Sequence, residues 1–177
     1  MTEYRKIDIS EIDRELFRGF IRRQVVTDCW RRDGDKWVIK SDPFIDDWSE
    51  ENYAFLVACL KNTLAKGGFV YGAFEQNTLK GFVSVEPEPM AGGYLDLSSI
   101  HVSADMRGRG IGRTLFKAAA EWAWEQGAER LYISAHSAVE SQAFYKAMGC
   151  VEAEHYDKKH CEAEPLDCQL EYLIKKR

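Results

Sequence analysis

Between residues 106 and 113 the chain reads Met-Arg-Gly-Arg-Gly-Ile-Gly-Arg, with Gly108, Gly110 and Gly112 set among Arg107, Arg109 and Arg113. Glycines so closely spaced let successive backbone N–H groups turn toward one point. Ile111 opens an amphipathic helical pattern with Leu115, Ala118, Ala119 and Trp122 on its face, and a helix N-terminus adds partial positive charge. The stretch from Arg107 to Arg113 therefore reads as an anion nest suited to a pyrophosphate. Two common nucleotide loops do not fit it. The G-x-x-x-x-G-K-[ST] loop needs a lysine that is missing here. The G-x-G-x-x-G loop has a different spacing, and it needs an acidic residue near the end of the next strand, where this chain has Tyr132-Ile133-Ser134-Ala135-His136.

A second group with possible chemistry lies downstream. Ser141 and Tyr145 are four residues apart in a helical stretch, so they share a face. Ala143, Phe144 and Ala147 fall on an adjacent arc expected to meet the core, which puts Tyr145 at the core's edge. His155, His160, Cys161 and Cys168 match no structural zinc spacing and read as a polar loop.

The elements that must hold these groups follow from periodicity. Residues 4–9 suit a first strand. Ser10 and Asp13 then mark a helix start, with Ile12, Leu16, Phe17, Phe20 and Ile21 at helical spacing. Residues 29–49 are less regular, with Asp33-Gly34-Asp35 as a turn and Trp37-Val38-Ile39 as a short strand. A second helix starts near Ser49, carries Tyr53, Leu56, Val57, Leu60 and Leu64 on one face, and stops at Gly67-Gly68. Strands over 69–75 and 80–86 form a hairpin through Gln76-Asn77-Thr78. Past Pro87, Pro89 and Ala91-Gly92-Gly93 come a strand over 94–102, the Gly-rich loop and a helix ending near Gln126. A strand over 130–135, a helix over 139–148 ending at Gly149, and strands over 150–156 and 167–174 complete the order.

That order predicts one α/β domain over residues 1–177, with a mixed, mostly antiparallel central sheet and helices on both faces. In the strand over 94–102, apolar residues fall at Leu95 and Leu97, then at Ile100 and Val102. Strict alternation would place them at 99 and 101. One extra residue at Ser98-Ser99 predicts a β-bulge that shifts the phase and splays this strand from its parallel neighbour over 130–135.

Arg107-x-x-Gly110-x-Gly112 matches the acyl-CoA signature [RQ]-x-x-G-x-[GA], and Phe144-Tyr145-x-x-x-Gly149 matches a second pattern, N-x-x-[AS]-x-x-F-Y-x-x-x-G. With these motifs in this element order, the chain resembles the GNAT superfamily of acetyl-CoA-dependent N-acetyltransferases. The resemblance implies acetyl-CoA as cosubstrate, no metal, and transfer of acetyl to a primary amine by direct attack in a ternary complex. It implies that the pantetheine arm pairs with the backbone at Ile100, His101 and Val102, the Ile100 amide serving as oxyanion donor. The phosphates would lie on Arg107, Gly108, Arg109, Gly110, Ile111, Gly112 and Arg113, and Ser141 would approach the cofactor. Tyr145 would be the acid for the departing thiolate. A thiol near ~8.5 and a phenol near ~10 differ by roughly 1.5 pKa units, so that transfer costs only about 2 kcal/mol. One position departs from the pattern: Ala138 stands where many members carry asparagine.

An amine of pKa ~10.4 is neutral in about one molecule in 2,500 at pH 7, so a base is useful. Candidates are Glu86 and Asp96, then His136. In this superfamily the first helices and their loop build the acceptor site. That region holds Trp30, Trp37 and Trp48 with Asp42, Asp46, Asp47, Glu50 and Glu51. Aromatic walls and carboxylates suit a cationic amine.

Composition bounds the rest. Apolar residues make up 45% and charged residues 30%, the balance of a globular chain, and a net charge of -5 disfavours nucleic-acid partners. Five scattered cysteines without a C-x-x-C pair, a polar opening from Met1 to Arg5 and no long apolar run point to a cytoplasmic protein off the membrane. The acceptor is expected to be a small-molecule amine or a protein amino group, and a homodimer is possible. The rival reading is a non-catalytic acyl-CoA-binding or sensing module, which needs the loop but not Tyr145 or an acidic partner.

Overall fold

A computed structural model describes residues 1–174. The basic end Lys175-Lys176-Arg177, expected to be a solvated tail, lies outside the described residues. Strand β1 (Glu3–Lys6) is followed by a ribbon of β2 (Arg23–Asp33) and β3 (Lys36–Asp47), then by helix α1 (Glu50–Ala65). Next come β4 (Phe69–Glu75), β5 (Thr78–Val85), β6 (Tyr94–Val102), helix α2 (Ile111–Glu125) and β7 (Arg130–Ala135). Helix α3 (Val139–Met148), β8 (Val151–Glu152), α4 (Lys158–Ala163) and β9 (Cys168–Leu173) complete the described order.

The main sheet has seven strands in the order β1-β4-β5-β6-β7-β9-β8. Its pairs are antiparallel except β6 with β7. Both faces are covered, which explains why β5 is apolar at adjacent positions. On one face Val83, Val85, Leu97 and Leu131 pack with Ile111, Leu115 and Ala119 of α2. On the other, Val70, Phe74 and Phe82 meet Tyr53, Leu56 and Leu60 of α1. Ser49 caps α1 in a reciprocal box with Asn52, satisfying two amides that the helix leaves open.

The feature that shapes the site is in β6. Ser84 pairs with Ser99 but Val85 pairs with Leu97, so Ser98 is the extra residue of a bulge. The expected phase shift is present at the expected place. Parallel pairing of β6 with β7 runs from Tyr94/Arg130 to Asp96/Tyr132 and stops. Beyond that, β7 pairs with β9 as far as Ala135 while β6 pairs with β5 as far as Val102. The two strands part, and the facing edge of β6 is left open.

Three expectations at the periphery are corrected. The first helix is replaced by two short 3-10 turns, Ile9–Glu11 and Glu15–Phe17. Asp8, not Ser10, is the first cap, and the Asp13 carboxylate accepts from the Leu16 amide at 2.9 Å. These local side-chain bonds compete with helix propagation. Ile12, Phe17 and Phe20 are still buried, whereas Ile21 is exposed. The short strand over 37–39 is part of a long two-stranded ribbon turning at Gly34, whose φ is +59°. A register shift between Val26 and Asp28 breaks its alternation. Finally, residues 150–156 form only the two-residue β8, and α4, which carries no buried residue, follows it. Without an apolar face, α4 leaves no periodic signal.

Candidate active site

A cavity of roughly 1230 Å³ lies where β6 and β7 part and is lined by residues of both α1 and α2. Its size exceeds that of an ordinary small-ligand pocket, about 300–1,000 Å³. One wall is the Gly-rich loop. Gly108 and Gly110 have φ of +77° and +80° with open space beside them, the backbone state that turns amides inward and that only glycine adopts freely. Gly110 is the N-cap of α2, no side chain caps that helix, and its first turn has no acidic residue. An anion at this helix end would meet unclaimed N–H groups.

Gly112 has a different role. A Cβ there would lie 3.1 Å from Phe144 Cε2, so its absence lets α2 sit against α3. Arg107 and Arg113 line the cavity; Arg109 does not, and its charge instead helps hold the Glu75 carboxyl below its ordinary pKa. That Glu75 carboxyl is held down mainly by the Thr2 hydroxyl and the chain's own amino group.

The open edge of β6 forms the second wall. The Ser103 amide donates to Lys80 O at 2.8 Å. Alternation along an antiparallel pair then aims the His101 and Ser99 backbone at β5 and leaves Ile100 and Val102 facing the gap. The Val102 carbonyl accepts from Arg107 Nε at 3.3 Å. His101 is therefore corrected as a backbone partner: its amide belongs to the sheet. Its ring instead packs against Trp48 and Phe82, at 4.8 and 5.4 Å between centroids, on the α1 face. Burial, with the positive charges of Arg22 and Arg107, lowers its pKa to about 3, so the ring is neutral.

Tyr145 lines the cavity and is 9% exposed. It belongs to the main core cluster, while Ala143 and Ala147 are exposed. The expected core-facing arc of α3 is thus rotated onto Tyr145, the residue of this helix that enters the main core cluster. Burial pushes the Tyr145 phenol well above its ordinary value, with smaller contributions from Cys150 and Asp167, so the hydroxyl stays protonated. Ser141 lines the same cavity. Ala138 is fully buried against Val26 and Cys29 of β2 and bridges Cys29. The ribbon occupies the space that a larger side chain would need.

The three base candidates separate. Glu86 lines the cavity, and its Oε1 accepts from Thr63 Oγ1 at 2.5 Å and from Ser98 Oγ at 3.4 Å. These contacts fix one carboxylate oxygen beside the bulge. His136 also lines the cavity, but its Nδ1 accepts from the Ala138 amide at 3.1 Å. That contact takes up the Nδ1 lone pair. Asp96 is held away: Asp96 Oδ2 is 3.0 Å from His160 Nε2, and His160 Nδ1 is 2.6 Å from Asp157 Oδ2.

Of the expected acceptor residues, Trp48 and Asp46 reach the cavity. Asp42 pairs with Arg31, Glu50 pairs with Arg14, and Trp37 lies under Arg32. Sequence reasoning did not single out Arg22, Gln24, Val25 and Phe44, all on or beside the ribbon, which line the cavity too. The Gly34-Asp35 turn between two β-rich stretches was the available signal. Among the described residues, no group of three or more His, Cys, Asp or Glu is placed to hold a metal ion, and no helix is long and apolar enough to cross a membrane.

The carboxylates flanking His160 raise its pKa to about 9, the Asp96 hydrogen bond contributing most. Because the folded value lies above the ordinary ~6.5, the stabilisation is complete below pH ~6.5 and is lost as pH rises through ~9. Allowing for partial solvent screening, the loss is about 1–3 kcal/mol. Urea unfolding at pH 6 and pH 9.5 should show this loss in the wild type and not in His160→Gln; equal losses in both would remove the ion pair as its cause.

A sheet parted at a bulge over a Gly-rich helix N-terminus defines an acyltransferase fold of the GNAT type. The sequence model of the acetyltransferase (GNAT) family matches residues 25–150, and the chain belongs to that family. The fold is similar to a putative streptothricin acetyltransferase from Bacillus anthracis str. Ames in complex with acetyl coenzyme A, with TM-score 0.72 and 16% identity over 100% of this chain and 99% of the other. It is similar to nourseothricin acetyltransferase, at TM-score 0.68 and 18% identity over 98% and 99%. The PaiA N-acetyltransferase from Thermoplasma acidophilum, in complex with coenzyme A, follows at 0.61 and 15% over 98% and 99%. No curated protein sequence matches the chain.

Proposed function

We propose that this chain transfers acetyl from acetyl-CoA to a primary amine by direct attack in a ternary complex. One observation carries the reading: the Gly108–Gly110 nest, the open β6 edge, Tyr145 and Glu86 all line one cavity where β6 and β7 part. The acetyl donor would enter from the α2 face, its pyrophosphate on the backbone of residues 108–113 with Arg107 and Arg113 alongside. The amides of Ile100 and Val102 would take its pantetheine arm, and Ser141 would flank it. The Ile100 N–H is the donor for the thioester carbonyl oxygen as negative charge builds there.

Glu86 is the base. Held by Thr63 and Ser98, it receives the proton of the acceptor ammonium, directly or through water. Tyr145 stabilises the departing thiolate. Burial raises its pKa further above a thiol's than the free phenol value, so it acts by donating a hydrogen bond more than by full proton transfer. The non-catalytic sensor would need the nest alone, and the placement of Glu86 and Tyr145 in the same cavity favours catalysis.

Two measurements test this. Acetyl-CoA at millimolar concentration should raise the melting temperature by mass action, with NADH and ATP doing much less. A panel of primary amines assayed for CoA thiol release should give turnover. Acetyl-CoA that leaves the melting temperature unchanged would sink the cofactor assignment; stabilisation without release from any amine would favour the sensor.

A further inference from the structure

Arg22, at 7% exposure, is the most buried charged residue among those described, and it lines the cavity on the α1 face. A guanidinium is tolerated in such a place when its donors and its charge are both met. Here neither is. Nη2 donates to Asp46 Oδ2 at 2.5 Å, while Nε is walled in without a partner. Nη1 makes no hydrogen bond to a described residue and is not walled in. The Trp48 ring covers the group at 5.1 Å, which fixes its plane.

The local charge is also unbalanced. Arg22 lies close enough to Arg107 to depress its pKa, after burial itself, and Asp46 is the carboxylate that opposes this. The carboxylate that opposes it is thus the one already paired with Arg22. His101 between them is neutral and supplies no negative charge. An anion on the nest would serve Arg107, but Arg22 faces the other side of the sheet, toward Trp48 and the ribbon. Glu86 lines the same cavity.

We propose that Arg22 binds a carboxylate of the acceptor, so that the amine acetylated by this chain is an amino acid or a close relative carrying both groups. The inference rests on the transfer reading above. The Nη1 side left open by Asp46 offers a charged donor, which a carboxylate meets with opposite charge and a neutral carboxamide does not. With Arg22 at one part of the wall and Glu86 at another, such a molecule is oriented at both ends.

The test is a ladder of ω-amino carboxylates from glycine to 6-aminohexanoate, each paired with its carboxamide, assayed by CoA thiol release. For the member whose spacer fits, wild-type kcat/KM should be at least tenfold higher for the carboxylate than for the carboxamide. In Arg22→Gln that ratio should fall to near one, through KM, with CoA affinity by calorimetry unchanged. Arg22→Lys keeps the charge without the fork and should retain part of the preference, which covers the case where Arg22→Gln destabilises the fold. Ratios near one throughout the wild-type ladder would overturn the proposal. So would a preference that survives in Arg22→Gln, or a tenfold loss of CoA affinity in that variant. Failure of the transfer reading looks different: no amine of either kind gives release, and the inference falls with it.

Discussion

Gly110→Asp is expected to reduce CoA affinity at least 100-fold while the protein stays folded. The carboxylate would stand at the mouth of the nest, and adjacent anions there would have charge centres on the order of 5 Å apart. At an effective dielectric constant near 20, like charges at that distance repel by about 3 kcal/mol, or about 10²-fold in affinity. Stability should change little, because a Cβ at Gly110 meets nothing within 4 Å, and aspartate tolerates a φ of +80° better than most residues. Gly127→Asp is the matched control. Gly127 has φ +87° and open space as well, but it follows the C-terminal end of α2. The same backbone strain there should leave CoA affinity at the wild-type value. Calorimetric titration of CoA decides it, and equal affinities for both variants would leave the loop without a phosphate.

Tyr145→Phe should lower kcat by about 10²-fold with little change in CoA affinity, as expected for the loss of a transition-state donor. The ring keeps its contacts with Phe144 and the core cluster, so the melting temperature should hold. Among the described residues the hydroxyl has no hydrogen-bond partner to strand when it is removed. The deficit should narrow for acyl donors whose leaving thiol has a lower pKa, since these need less stabilisation on departure. A variant with wild-type kcat would take Tyr145 out of the chemistry and reduce it to packing.

How far the sequence reached can be traced residue by residue. The bulge at Ser98 was legible because a strand's side-chain period is two, so a single extra residue leaves a visible phase error. The loop at 107–113 was legible because positive φ and close glycine spacing are written directly in residue type. The α1 and α2 faces were legible because each buries one stripe against a sheet. These signals are local, and the residue types alone determined them.

Other features depended on contacts between distant segments. Nothing near Asp96 in sequence says that His160, on a helix without an apolar face, will claim its carboxylate and leave Glu86 as the base candidate that lines the cavity. Ala138 reads as a missing asparagine until the ribbon is seen packed over it. Gly112 reads as a loop glycine alone until Phe144 is found against it, which adds a packing reason for the missing side chain. Arg22 is one arginine of a pair at the end of a misread helix; burial between Trp48, Asp46 and the end of β6 is what gives its unpaired donors meaning. Residue types and spacing thus determined the Gly-rich loop, the bulge and the family. The tertiary structure decided which carboxylates and cations remain free to act, because desolvation and pairing are set by neighbours that the chain brings together only on folding.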